Sequence, residues 1–297
     1  MTNQGQGARL WTLFLSTVLL AANGCTSLLR SAAESASADT VDDLIVAIRR
    51  QPDPEIVRQG LPSVLLIIDG FLVASPDSPE LLLAATNAYV SYCQAFLLDE
   101  SENDRAVKLY TLAREYGLRL LRQRPFFESA FDKPMEVYEG ALQKFTEDDV
   151  PAMHATASAW LGWIIADNES MEALVELPRA LALTQRVLEL DESYGDGSSH
   201  LAFAILFAIQ PRGAGQDLER SRSHFERAIE LAGPENFLPR VLYAEHFGKA
   251  TLDHEFFVST LSDVLAGDLA RFPEHRLLNE LARRRARVLL SQQEDFF

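Results

Sequence analysis

Apolar residues recur at three- and four-residue steps along most of the chain, which is the spacing of helices that bury one face. One such segment starts near Asp104, carries apolar residues from Ala106 to Leu120 and ends at Arg124-Pro125. The stretch LPSVLLIIDGFLVAS, residues 61–75, contains enough β-branched residues to resemble a strand. A lone strand would have no partner in this chain, so we predict a helix there as well.

Prolines and capping residues mark where the helices begin and end. Pro79 follows a Ser-Pro-Asp-Ser turn and suits the first turn of a helix. Thr146 precedes Asp149 with the spacing of a capping box. Only 15 Gly and 13 Pro occur in 297 residues, which favours long helices over a many-turned β protein. We predict about eleven helices joined by short connections as antiparallel hairpins, with an irregular or partly helical stretch from Phe126 to Asp149.

The segment HFERAIELAGP, residues 224–234, resembles the second helix of a tetratricopeptide (TPR) repeat. Phe225 stands at the aromatic position, Ala228 at the small one and Ile229 at the aliphatic one, with Pro234 one place late. A weaker match to the same pattern begins at Thr184. The spacing from Thr184 to Phe225 is longer than the TPR period of about 34 residues. The fold class we predict is therefore all-α, with antiparallel helical hairpins stacked as a degenerate TPR-like superhelix. A generic helical solenoid is the alternative.

The N-terminal region has the features of an exported lipoprotein. An apolar run from Leu10 to Ala22 follows Arg9 and precedes Gly24-Cys25, which resembles the lipobox that directs acylation of a cysteine. Ala22 and Asn23 depart from that pattern, so an ordinary secretory peptide or an uncleaved anchor is the alternative. We predict a signal peptide at 1–24, a lipidated tether at 25–40 with the lipid on Cys25, and one TPR-like α-helical domain at 41–297.

The predicted location follows from the same segment. Thr26 stands where an aspartate would signal inner-membrane retention, so we expect a periplasmic protein anchored in the outer rather than the inner membrane. After processing, Cys93 would be the remaining thiol, and its apolar surroundings predict a buried, inert side chain.

Charge excludes one class of partner. The chain has 27 basic and 43 acidic residues and a net charge of −16, whereas nucleic-acid binding needs clustered basic charge. We therefore expect no nucleic acid to bind.

Motifs that carry chemistry are missing from the sequence. The PRGAG segment, residues 211–215, lacks the GK[ST] ending of a phosphate-binding loop, and neither GxSxG nor HExxH occurs. His246 and His254, near Glu245 and Glu255, are the only candidate metal ligands, and scattered surface histidines explain them equally well. We predict no catalytic residues, no cofactor and no metal, hence a protein that is not an enzyme.

Two sets of residues are candidates for binding. The first is a basic cluster in the last long helix, which either pairs with the acidic remainder of the chain or docks onto an acidic partner. Its members are Arg283, Arg284, Arg285 and Arg287. The second is a set of aromatic residues and one histidine that would line an apolar groove or channel, unless they are ordinary core. Its members are Trp160, Trp163, Tyr194, His200, Phe203 and Phe207.

The chain also resembles a known family over about 240 residues. The resemblance begins at LPSVLLIIDGFLVASPDSPELLLAATNAY and ends at NELARRRARVLL…EDFF. Between these segments lie YTLAREYGLRLL, FTEDDVPAMHATASAWLGWII, YGDGSSH, PRGAG and RSRSHFERAIEL. In their order and spacing these segments are similar to the T-component (TatT) family of tripartite ATP-independent periplasmic (TRAP) transporters.

The resemblance implies a periplasmic, lipid-anchored, TPR-like scaffold that docks with the solute-binding component of the transporter and assists uptake. Two other functions remain open: a carrier or conduit for a hydrophobic ligand in an internal cavity, and a general TPR adaptor in envelope assembly. We also expect contact with the membrane through the N-terminal lipid. Self-association as a homo-oligomer is a further expectation, because repeat arrays expose end surfaces.

Overall fold

The computed structural model describes residues 46–97, 100–213 and 215–297. The chain divides into two units, residues 1–50 and 51–297. In the first unit, residues 46–49 form a helical turn. The predicted signal peptide (1–24), its cysteine and the predicted tether (25–40) lie outside the described residues.

The second unit contains α-helices and no strand over its described residues, which confirms the predicted all-α class. Its helices are α1 (Pro54–Ala74), α2 (Pro79–Phe96), α3 (Asn103–Arg122), α4 (Pro125–Glu128), α5 (Met135–Leu142), α6 (Val150–Ala166), α7 (Met171–Leu190), α8 (Tyr194–Ile209), α9 (Leu218–Ala232), α10 (Leu238–Leu242), α11 (Lys249–Thr251), α12 (His254–Ala266), α13 (Arg276–Ser291) and α14 (Gln293–Phe296). A π-helical segment, Tyr243–Gly248, joins α10 to α11. Helix α1 forms where the strand-like pattern occurs, as predicted.

Side-chain caps fix several helix starts where the sequence predicts them. The side chains of Ser78, Asp217 and Asp253 accept hydrogen bonds from backbone N–H groups in the first turns of α2, α9 and α12. The capping box predicted at Thr146 is present, with the backbone N–H of Thr146 donating to Asp149 Oδ2 at 3.1 Å. Local sequence therefore determines these boundaries.

Helix α7 contains a proline in its second turn. It begins at Met171 and continues through Pro178. A proline removes one backbone hydrogen bond, which here would be accepted by the carbonyl of Leu174; that turn is exposed, so water can take its place. The stretch from Phe126 to Asp149 is partly helical, as predicted, because it contains the end of α4 and the whole of α5.

Consecutive long helices lie side by side as hairpins: α1 with α2, α2 with α3, α6 with α7, α8 with α9, and α12 with α13. Helix α3 packs on α6, which also contacts α2. One core fills the space between these N-terminal helices, and a second lies among α10, α12 and α13. Helix α1 also contacts α13, so the first and last long helices of the array are neighbours. The TPR-like superhelical arrangement stays a prediction.

Glycine allows the closest approach between α3 and α6. A Cβ atom on Gly162 of α6 would lie 2.2 Å from the Tyr110 ring of α3. A Cβ atom on Gly117 of α3 would lie 2.6 Å from the Thr156 hydroxyl of α6. Both distances are far below van der Waals contact. The small residues that the sequence places along α6 thus let the two backbones pack closely at two points.

We expect Gly162→Ala to destabilise the domain by about 1–3 kcal/mol, because the new methyl group overlaps a buried aromatic ring. Gly140→Ala in α5 is the matched control, since nothing lies within 4 Å of its Cβ position. Alanine has the higher helix propensity, so that change should stabilise the domain by up to about 1 kcal/mol. Urea denaturation of the two variants tests this, and equal effects would contradict the packing argument.

Candidate functional site

Helix α8 begins with a left-handed turn that brings it against α9. Gly195, Asp196 and Gly197 have φ values of +60°, +57° and +74°. Asp196 is held there by the side chain of Asn236, whose Nδ2 donates to Asp196 Oδ2 at 3.0 Å. A Cβ atom on Gly197 would lie 3.0 Å from Cδ1 and 3.1 Å from Cβ of Leu231 in α9, closer than ordinary van der Waals contact, so a larger residue at this position would crowd α9.

The TPR-like segment predicted in α9 is part of the core. Phe225 and Ala228 are fully buried, and Ile229 packs against the same cluster. The Phe225 ring stacks on Tyr243 with 4.9 Å between centroids. An aromatic side chain thus fills the space towards the next element while alanine admits the neighbouring helix.

Two histidines and a glutamate form a hydrogen-bonded chain between α8 and α9. His200 Nδ1 lies 2.8 Å from His224 Nδ1, and His200 Nε2 lies 3.2 Å from Glu192 Oε2. Glu192 also accepts hydrogen bonds from Arg227, which, with the His200 hydrogen bond, lowers the pKa of its carboxyl to about 2. An ionised Glu192 accepts the Nε2 proton of His200. The geometry fits the tautomer of His200 that donates from Nε2 to Glu192 and accepts at Nδ1 from His224.

Burial keeps two histidines of this region neutral. The pKa of His224 falls to about 4, chiefly through burial and further through His200 and Arg220. The pKa of His154 also falls to about 4 through burial. His154 Nε2 lies 2.6 Å from the hydroxyl oxygen of Ser198, and that hydroxyl donates to the carbonyl of Tyr194 at 3.4 Å. The polar atoms of these side chains are therefore hydrogen-bonded to one another where α8 meets α6 and α9.

The six predicted groove residues fall into two groups. Four belong to α8, where Phe203 stacks on Phe207 with 6.3 Å between ring centroids. The ring of His200 lies beside that of His224 in α9, and Tyr194 packs edge-on against His154 of α6. The guanidinium of Arg220 lies 4.0 Å from the Phe207 ring centroid. Phe207 is half-buried, so the edge of this aromatic cluster reaches the surface.

The other two, Trp160 and Trp163, lie in the core between α3, α6 and α7. Trp160 is fully buried, and its indole N–H donates to Glu176 Oε2 at 2.7 Å. Arg114 pairs with the same carboxylate and lies 4.5 Å from the Trp163 ring centroid. These tryptophans thus contact side chains of α3 and α7. That all six residues line one groove or channel stays a prediction.

A polar cleft lies elsewhere on the domain, and none of the six predicted groove residues lines it. It has a volume of about 460 Å³ and lies between the start of α3 and the α6–α7 loop. Asn103 donates to the carbonyl of Ala166 at 2.8 Å across this junction. Lys108 and Glu169 also line it.

The four predicted docking arginines play different roles. Arg285 forms a bidentate pair with the buried carboxylate of Glu245 in the π-helical segment. Burial raises the pKa of Glu245, but the Arg285 hydrogen bonds and the neighbouring cations outweigh it, so the pKa lies below its usual value. Arg283 donates to the carbonyl of Leu265 at 2.6 Å.

Arg284 and Arg287 differ from those two because they are exposed on α13. Neither forms an ion pair within 4 Å with a described residue. The docking role of these two residues stays a prediction. The Arg285–Glu245 pair joins residues far apart in sequence, and no local pattern signals it.

The candidate metal ligands serve other contacts. His246 lies in the π-helical segment, where burial lowers its pKa. His254 begins α12, and its Nε2 lies 3.0 Å from Gln293 Oε1. Over the described ranges, no group of three His, Cys, Asp or Glu residues has a geometry suited to a metal ion.

The buried neutral histidines predict that stability falls as the pH is lowered. His154 and His224 have folded pKa values of about 4 against an ordinary 6.5, so the unfolded chain binds protons first. Their contribution is complete above pH 6.5 and is lost progressively as the pH falls towards 4. Urea midpoints across this range should fall less steeply for His224→Gln than for the wild type. His254→Gln, at an exposed position, should leave the slope unchanged, and equal slopes in all three proteins would contradict the assignment.

Comparison with known proteins places the chain in a family. The sequence model of the TRAP transporter T-component family matches residues 50–297, which include every helix described above. An uncharacterized protein from Treponema pallidum (strain Nichols) is 23% identical over 270 residues, which cover 86% of this chain and 84% of that protein. The match extends over the aromatic and histidine cluster of α8 and α9 and over the arginines of α13. The chain therefore belongs to the TRAP transporter T-component family.

Proposed function

We propose that the protein is a non-enzymatic, lipid-anchored periplasmic scaffold that binds the solute-binding component of a TRAP transporter and assists solute uptake. The observation that carries the proposal is the family match over residues 50–297. The array of helical hairpins supports it, because stacked hairpins offer extended surfaces for a protein partner. The lipobox-like sequence at Cys25 supports the location, which we propose is the periplasmic face of the outer membrane.

The exposed arginines of α13 are the contact we propose for this partner. On a chain with a net charge of −16, Arg284 and Arg287 place two exposed positive charges one helical turn apart on α13, and neither is in an ion pair with a described residue. Val288, 36% exposed, lies beside Arg284 and Arg287 on the same helix and adds apolar area. An acidic face on the solute-binding component would complement this patch. Such complementarity acts mainly on the rate of association and its dependence on salt.

We expect the double variant Arg284→Glu with Arg287→Glu to bind the cognate solute-binding protein with an association rate lower by roughly tenfold at low salt. The difference should shrink as the ionic strength rises, because salt screens the lost attraction. Stopped-flow or surface plasmon resonance titration in a series of salt concentrations measures both effects.

A double variant with the same charge change provides the control. Lys108→Glu with Lys133→Glu reverses two exposed lysines on α3 and on the segment before α5, away from α13. It should retain nearly the wild-type rate. Equal loss in the two variants would mean that net charge alone matters and would contradict docking at α13. Absence of binding by the folded wild type at high micromolar concentration would contradict the proposed function itself.

A further inference from the structure

The exposed side of α1 carries no charged side chain from Ile56 to Ala74. The residues that face solvent along it follow three- and four-residue steps and are aliphatic, small or uncharged. We name this set the uncharged stripe: Ile56, Gln59, Gly60, Ser63, Leu66, Ile67, Gly70, Val73 and Ala74. Leu66 is 72% exposed and Val73 is 85% exposed. The stripe is about 27 Å long at the rise of an α-helix.

The stripe is unusual on this molecule. Among the described residues, α1 is the helix that is long and apolar enough to cross a membrane by length and composition, yet little of it is buried. The other exposed aliphatic group, Met171, Leu174 and Val175 on α7, lies beside Glu169 and Glu172. Contiguous apolar surface without charge marks a contact site rather than a solvated face.

The opposite side of α1 holds the helix in the domain. Leu65 and Leu72 are buried against α2 and α3. Asp69 accepts hydrogen bonds from Tyr89 at 2.6 Å and Tyr116 at 2.9 Å. A helix crossing a bilayer would have to break these contacts and carry a carboxylate into hydrocarbon. A partner that covers the stripe must therefore contact the solvent-exposed side of α1 while the helix stays packed on the domain. On a membrane, the helix axis would lie parallel to the surface.

We infer that the uncharged stripe of α1 rests on the surface of a lipid bilayer, with Leu66, Ile67 and Val73 inserted among the acyl chains at the headgroup boundary. This inference rests on the lipid anchor proposed at Cys25, and not on binding of a solute-binding protein. The chain from Cys25 to Pro54 spans at most about 100 Å when fully extended, which is long enough for an anchored chain to bring α1 to the bilayer. Among the described residues, α1 is the first long helix.

The chemistry of the stripe favours lipid over a protein partner. Only Gln59 and Ser63 carry polar side chains along it, so it offers few hydrogen bonds to a protein interface. Glycine and alanine between the aliphatic residues leave a smooth ridge that acyl chains can follow. Arg58, partly exposed at the edge of the stripe, is paired with Glu102 at 3.3 Å and with Glu55 at 3.8 Å.

Depth in the bilayer can be measured at single sites in the anchored full-length protein. Leu66→Cys and Val175→Cys each place one exposed thiol for an environment-sensitive fluorophore. Cys93 is fully buried and burial raises the pKa of its thiol to about 12, so it stays unlabelled. Both variants are reconstituted in phosphatidylethanolamine–phosphatidylglycerol vesicles that contain lipids with a quencher in the acyl chain. The same anchor tethers both probes, so any difference between them comes from the orientation of the domain.

The expected result is a blue-shifted, quenched probe at position 66 and an unshifted, unquenched probe at position 175. Adding Ile56→Asp and Val73→Asp to the Leu66→Cys protein should lower the inserted population by roughly 100-fold, whereas Met171→Asp and Leu174→Asp should not. Circular dichroism checks that each variant is folded.

Four outcomes would overturn the inference. Equal signals at positions 66 and 175 would mean that α1 does not face the bilayer. A shift at 66 that appears without lipid, on raising the protein concentration, would assign the stripe to a second copy of this chain. A shift that needs a solute-binding protein instead would assign it to that partner. Failure of the protein to float with vesicles would contradict both the inference and the proposed lipid anchor. It would not bear on binding of the solute-binding protein, which the titration described above tests separately.

Discussion

The packing of α3 against α6 is the constraint on which the N-terminal half of the molecule depends. Gly162 receives the Tyr110 ring and Gly117 receives the Thr156 hydroxyl at distances that no Cβ atom allows. With the two backbones so close, Arg114 of α3 reaches the carboxylate of Glu176 in α7, which Trp160 of α6 also contacts. Three helices are thus joined by one carboxylate, and α2 and α7 take their places around the α3–α6 pair.

Most of the basic groups that could attract a partner are used inside this acidic molecule. Arg179 of α7 donates to the carbonyl of Lys133 at 2.7 Å, and Arg186 donates to that of Phe145 at 3.0 Å, so α7 holds the segment that contains α4 and α5. In the C-terminal core, Arg285 forms an ion pair with the carboxylate of Glu245. We propose two surfaces for recognition: the two exposed arginines of α13 and the uncharged stripe of α1.

Sequence reasoning predicted those features that local physics determines. The cap at Ser78, the capping box at Thr146 and the buried Phe225 follow from residue type and spacing alone. The chain of Glu192, His200 and His224, by contrast, depends on how α8 and α9 face each other. The same holds for Arg285, whose partner lies in a π-helical segment that no pattern signals. The sequence thus predicted the array of helices, whereas the tertiary contacts decide which of four neighbouring arginines remain free.

The central claim is that α13 presents the surface by which this T-component meets the solute-binding protein. Hydrogen–deuterium exchange of the full-length protein, with and without a saturating concentration of the cognate solute-binding protein, tests it most directly. The account predicts slower exchange in α13 around Arg284 and Arg287, with no change at the start of α3, where Lys108 lies. Slower exchange elsewhere with α13 unaffected would place the partner on another surface and contradict the claim.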